Sequence, residues 1–241
     1  MLHHRTLPVA AAALALCTLT TVGRAADAPA SPYFQVDLSK FITHTLYEPQ
    51  MKTPGCDLSN LAGAAAANVT PQKKLNGVLF RLDGIILVGP GETISGSTGE
   101  PVPVVKKVEN IPVGHKGERL YFLHATHWGA DNGAKIGAYV IHYADGTKEE
   151  IPIRYGMEVL DWWAFKERGS EVTNAEVAWT GSCEAAERNM TSIRLFMTTW
   201  KNPHPGVEIK SFDMITGDQP SHSLPNGQGS PAPFLVALSG Q

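Results

Sequence analysis

Tyr139-Val140-Ile141-His142-Tyr143-Ala144-Asp145-Gly146-Thr147-Lys148-Glu149-Glu150-Ile151 is the stretch that decides the fold class. β-branched and aromatic residues flank an Asp-Gly pair, and Asp-Gly supplies the positive φ angles of a tight two-residue turn between antiparallel strands. Outward from this hairpin, Gly, Pro, Asn or Asp punctuates the chain every eight to twelve residues, with Val, Ile, Tyr, Phe and Thr between. That rhythm predicts an all-β sandwich or barrel. Strands are expected over 34–38, 75–82, 85–88, 102–108 and 119–127, then over 136–143, 147–153, 176–179, 192–200, 207–215 and 234–238. Gly89-Pro90-Gly91 and Ser95-Gly96-Ser97-Thr98-Gly99 read as turns. Only Leu58–Asn68 reads at all helical, through its alanines, as one short helix or a loop. Ser221–Pro233, rich in Pro, Gly, Ser and Asn, reads as a long surface loop. No break divides the chain, so residues 33–241 read as one domain.

The start of the chain reads differently. Met1–Arg5 is short and basic, Leu7–Val22 is apolar and Ala-rich, and Gly23-Arg24-Ala25 offers small residues for a signal peptidase. Residues 1–25 therefore read as a secretory signal peptide and 26–32 as a Pro/Ala-rich tether. A lipoprotein reading through Leu14-Ala15-Leu16-Cys17 is the weaker one, because Leu16 is not small. The expected setting is secreted or periplasmic, without membrane insertion after signal cleavage. Net charge is −3, with acidic and basic residues interspersed. No nucleic-acid footprint or polybasic membrane patch exists, so bulk charge does not choose the partner.

Signal cleavage leaves two cysteines, Cys56 and Cys183, both in turn-like surroundings. In an exported chain a disulfide between them ranks first. Two free thiols come second, and a nucleophilic Cys183 a distant third.

All five tryptophans lie between residues 128 and 200, in short motifs dense in ring and polar side chains. These are His124-Ala-Thr-His127-Trp128, Tyr155-Gly156 with Asp161-Trp162-Trp163, Ala178-Trp179, and Trp200-Lys201-Asn202-Pro203-His204-Pro205. Adjacent residues on a strand point to opposite faces, so Trp162 and Trp163 cannot both enter one sheet face. Either one is core and the other displayed, or both sit on a rim loop. Ring faces beside carboxylate, amide and imidazole groups suit a sugar, whose C–H face lies on an aromatic ring while its hydroxyls bond at the edge. The candidate ligand-binding residues are His124, Trp128, Tyr155, Asp161, Trp162, Trp163, Trp200, Asn202 and His204.

Each has a bland alternative. His124 also reads as a satisfied core or rim histidine, and one of the paired tryptophans as core. Asn202-Pro203-His204-Pro205-Gly206 also reads as a rigid connection, since each proline fixes φ and restricts the residue before it. His124 and His127, three apart on a strand, face opposite sides and do not chelate one metal.

Catalytic signals are thin. The chain has no Gly-x-Ser-x-Gly elbow, Cys-x-x-Cys, His-Glu-x-x-His or phosphate loop opening a helix. A glycosidase needs only two well-separated carboxylates, and Asp161, Glu158, Asp131, Glu184 and Glu187 are candidates that spacing alone does not pair. Asn68-Val69-Thr70 and Asn189-Met190-Thr191 are formal glycosylation sequons.

Taken together, the motifs resemble an uncharacterised class of exported bacterial β-sandwich domains of galactose-binding-like, jelly-roll type, often found beside carbohydrate-active or envelope modules. The resemblance covers most of the chain after the signal peptide, from Phe34-Gln35-Val36-Asp37-Leu38-Ser39 to Pro233-Phe234-Leu235-Val236-Ala237-Leu238. It is closest between Leu123 and Pro205, and it carries no known activity. It implies a single jelly roll with at most one short helix, a carbohydrate partner, and no cofactor beyond a structural calcium that no Asp-rich loop demands. The leading expectation is thus a non-catalytic, secreted carbohydrate-binding module. The alternatives are a jelly-roll glycoside hydrolase or polysaccharide lyase using Asp161 or Glu158, and a structural envelope or adhesion module.

Overall fold

Strand β8 (Arg119–His127) is buried from Leu120 onward on both faces, which explains why it reads as a continuous apolar run instead of an alternation. In the computed structural model, which describes Met1 and residues 31–63, 69–165, 171–217 and 229–241, β8 lies inside the larger of two antiparallel sheets. That sheet is ordered β1 (Phe34–Gln35), β14 (Ala232–Gly240), β8, β12 (Ile193–Lys201) and β11 (Glu176–Gly181), with β4 (Ile86–Leu87) pairing β14. The second sheet is ordered β10 (Lys148–Arg154), β9 (Lys135–Tyr143), β13 (Ile209–Thr216) and β7 (Lys107–His115). Two hairpins complete the strands, β2 (Gln72–Leu75) with β3 (Val78–Arg81), and β5 (Thr93–Ser95) with β6 (Pro101–Pro103). The protein is an all-β sandwich, with Ser31–Gln241 forming one unit.

The sheets meet through aromatic rings. Phe122 of β8 stacks on Tyr139 of β9 with centroids 4.2 Å apart, and Tyr139 meets Phe212 of β13 edge-on at 6.2 Å. On β9, Tyr139, Ile141 and Tyr143 are buried while Val140 and His142 are half-buried, the alternation of a sheet with one covered face. Behind the larger sheet, Trp162, His127 and Phe234 pack together, and the Ser239 hydroxyl donates to Leu79 O at 2.7 Å.

Several boundaries differ from the sequence reading, each for a local reason. The stretch 75–82 is not one strand, because Asn76 (φ 45°) and Gly77 (φ 88°) turn the chain between β2 and β3. At Asp145-Gly146 only Gly146 is left-handed (φ 89°), so the connection is wider than two residues. The Asp145 carboxylate explains it by accepting both the N–H and the hydroxyl of Thr147 (2.9 and 2.7 Å). Helix is also more than one piece: α1 (Ser59–Ala62) and α2 (Glu184–Arg188) are both short, and a 3-10 turn covers Gln50–Lys52. The signal peptide, most of the tether, Asn68 and most of 221–233 lie outside the described residues.

Candidate ligand groove

The nine residues singled out in the sequence do not form one site. Trp163 bridges Ile193 at the start of β12, whereas Asn202 and His204 follow its end at Lys201. A nine-residue strand is roughly 27 Å long, beyond the reach of a single sugar unit. Five of the nine are also buried. His124 bridges the two sheets, with Nδ1 3.0 Å from the Tyr139 hydroxyl and Nε2 2.8 Å from Thr198 Oγ1, and burial pushes its imidazole down to about 3. Asn202 is a hub: its Oδ1 accepts from the Tyr143 hydroxyl (2.5 Å) and His204 N–H (2.9 Å), and its Nδ2 donates to Gly117 O (2.7 Å). The turn reading of Asn202-Pro203-His204 is thus the one its bonds match.

Asp161, 3 % exposed, accepts the Trp163 N–H at 3.0 Å and bridges Thr126. Its Trp162 neighbour is 2 % exposed and meets His127 and Phe234 edge-on. Tyr155 is buried with its N–H on Ala134 O. Glu158 is no freer than Asp161. Burial opposes its charge, yet bonds from Arg154 and Asn174 hold its carboxyl below the usual range. These interactions place both carboxylates offered for a hydrolase or lyase among structural partners.

The other four are half-buried and scattered. Trp163 stacks on Phe165 (5.4 Å), and Trp128 (φ 64°) donates from Nε1 to Ser95 O (3.0 Å). Trp200 packs against the core, and His204 sits edge-on to Tyr143 with Nε2 3.2 Å from Glu149 Oε1. Cys56 and Cys183 are joined as a disulfide, with Cα atoms 4.8 Å apart.

A groove of about 560 Å³ lies elsewhere, between the segment 43–52 and the wall formed by Val102, Pro103, Val104 and Val105. Its volume is within the roughly 300–1,000 Å³ of small-molecule sites. Pro49, Met51 and the valines give it an apolar surface, and Thr43, His44, Glu48 and Lys52 supply polar groups. Among the described residues no three His, Cys, Asp or Glu side chains gather as metal ligands would.

The segment 43–52 is irregular but strongly tied down. Gln50, buried, donates from Nε2 to Thr45 O and Glu48 O, both at 3.1 Å, and from its backbone to Cys56 O at 2.7 Å. Met51 (φ 54°) and Lys52 (φ 55°) are consecutive non-glycine residues in the left-handed region. Such residues cost on the order of 1–3 kcal/mol each and persist where neighbours over-determine them, commonly at ligand sites. Here Ser97 donates to Met51 O, and Thr53 Oγ1 donates to Ser97 Oγ at 2.7 Å.

Hydrogen-bond accounting fixes the state of His44. Thr43 Oγ1 lies 3.2 Å from Ile85 O, to which it can only donate, and accepts the Leu87 N–H at 2.9 Å. Its single proton is then spent, so the bond to His44 Nδ1 (2.9 Å) has the ring nitrogen as donor. Nε2 is left as a bare acceptor without a partner in the described chain. Burial lowers the His44 pKa, against Glu48 and reinforced by Lys52, so the ring is neutral at pH 7. His127, 1 % exposed, has no hydrogen bond at either ring nitrogen, and burial pushes it down to about 3.

None of His44, Glu48, Lys52 or Met51 was a sequence candidate. Their signal was a His-x3-Glu-x3-Lys spacing, which suggests one face of a helix; Pro49 and the left-handed pair exclude that helix. Comparison with protein-family models and with curated proteins finds no match for this chain.

Proposed function

We propose that this protein is a non-catalytic carbohydrate-binding module and that the sugar sits in the groove between residues 43–52 and 102–105. One observation carries the reading: an apolar surface of Pro49, Met51 and valines stands beside polar groups not consumed by partners among the described residues. His44 Nε2 is a bare acceptor, Glu48 spends only Oε1, on the Thr45 N–H at 3.1 Å, and Lys52 makes no ion pair among the described residues. A pyranose has the matching halves, a C–H face for the apolar surface and hydroxyls for the acceptors. Tyr47, next to Glu48 in the chain, is 44 % exposed but does not line the groove, whose apolar surface comes from Pro49, Met51 and the valines. The galactose-binding-like resemblance supports the reading by fold analogy alone. A secreted or periplasmic setting fits it, since disulfides persist in oxidising compartments.

The test is a calorimetric titration with a panel of oligosaccharides, each mixture then assayed for new reducing or unsaturated ends. Saturable binding without cleavage, weakened by Glu48→Gln and His44→Ala but not by Trp163→Ala, is the expected result. Cleavage would transfer the assignment to an enzyme with His44 as its base. Absence of binding across the panel would leave the structural-module alternative.

A further inference from the structure

We infer that the sugar taken by this groove carries an anionic substituent, a carboxylate or a sulfate, which pairs with Lys52. The inference rests on the carbohydrate reading above and adds the charge of the ligand. Among the residues lining the groove, Lys52 and Glu48 are the two that carry charge, once His44 is neutral with its proton on Nδ1. A Lys–Glu pair in contact would cancel and leave a surface suited to neutral ligands. No such contact forms: Glu48 is engaged by the Thr45 N–H, and the Lys52 ammonium has no carboxylate within pairing distance among the described residues.

Lys52 has an exposed side chain, but its backbone is held in place. It follows left-handed Met51 and is itself left-handed, inside a turn clamped by Ser97, Thr53 and Gln50. A backbone held in this costly conformation fixes where the lysine stem begins, which reduces the entropy lost when the ammonium meets a partner. The acceptors, His44 Nε2 and the second Glu48 oxygen, then receive hydroxyl protons, while an anion at the Glu48 side would be repelled. Ligand orientation follows: acid group toward Lys52, hydroxyls toward His44 and Glu48.

Uronate oligosaccharides (galacturonate, glucuronate-containing, mannuronate and guluronate) are titrated against the full chain, each beside its methyl ester, which keeps the shape and removes the charge. Sulfated oligosaccharides beside their desulfated forms make the second arm. A charged ligand in one arm is expected to bind about tenfold or more tighter than its neutral counterpart, the magnitude of one charge-assisted hydrogen bond. Lys52→Met should remove that preference, Lys52→Arg should retain most of it, and Lys148→Met, at the exposed start of β10, should leave it unchanged. Added salt should weaken the charged ligand alone. Equal binding of charged and neutral forms, or a preference that survives Lys52→Met, overturns the inference and leaves the carbohydrate reading standing. No binding in either arm or to neutral glycans overturns both.

Discussion

The carbonyl of Met51 accepts the backbone N–H of Ser97 at 2.9 Å and its hydroxyl at 3.3 Å, so a turn between β5 and β6 holds a left-handed residue in the opposite wall of the groove. Ser97→Ala removes the hydroxyl and its bond from Thr53 and keeps the backbone bond. The expected stability loss is about 1 kcal/mol. Affinity for the groove's ligand should fall several-fold, because the Met51–Lys52 turn loosens before the core does. Denaturant melts and calorimetry on the same sample separate the two effects.

Joining Cys56 to Cys183 closes a loop of 127 residues. Loops of that size confer about 2–5 kcal/mol when cross-linked. A Cys56→Ser, Cys183→Ser double variant should lose stability in that range in urea, and reductant should bring the parent protein to the same midpoint. A parent midpoint indifferent to reductant would show that the bond does not constrain the unfolded chain.

Acid should destabilise the fold through its interior. The imidazoles of His124 and His127 are both pushed down to about 3 by burial, whereas in the unfolded chain they titrate near 6.5. Below pH 6.5 the unfolded state therefore binds more protons, and stability falls as pH falls, levelling only near pH 3. Each histidine contributes about 1.4 kcal/mol per pH unit in that window. His127→Phe should flatten the slope by one such share. It should also leave the protein at least as stable at pH 7, since an imidazole with no partner is replaced by a ring that can stack on Phe234.

Asn202→Ala strands the Tyr143 hydroxyl, the His204 N–H and the Gly117 carbonyl together. A loss of about 2–4 kcal/mol is expected, with ligand affinity unchanged at temperatures where the variant is folded. Glu48→Gln should do the reverse, lowering affinity while leaving the melting temperature near that of the parent. Comparing the two variants separates the corner after β12 from the groove.

The sandwich was legible in the sequence because local signals and the global pattern agree there. Arg119–His127 is a strand at the expected ends, and the hairpin strand Lys135–Tyr143 turns Tyr139, Ile141 and Tyr143 inward. Asn76-Gly77 was equally legible as a turn signal, yet the apolar residues around it blurred two short strands into one. The adjacency argument at Trp162 and Trp163 separated one buried from one half-buried ring, but not which. The groove was hidden for a different reason. Its chemistry comes from irregular chain, where no periodicity tells which way a side chain points, and its far wall is contributed by residues about fifty positions later. Clustered tryptophans drew the eye to the packed interior, where large rings serve as filling.

β14, the last strand, is buried at every position and sits between β1 and β8 in the middle of its sheet. During synthesis β1, β4 and β8 are all made before β14, the strand that each of them pairs with. β1 has to wait for Ser239 and Gly240, its register partners, and β8 waits along most of its length. Until β14 is made, the edge of β8 that it covers is unpaired and open to association with other strands, whereas β12 already has both its neighbours, β8 and β11.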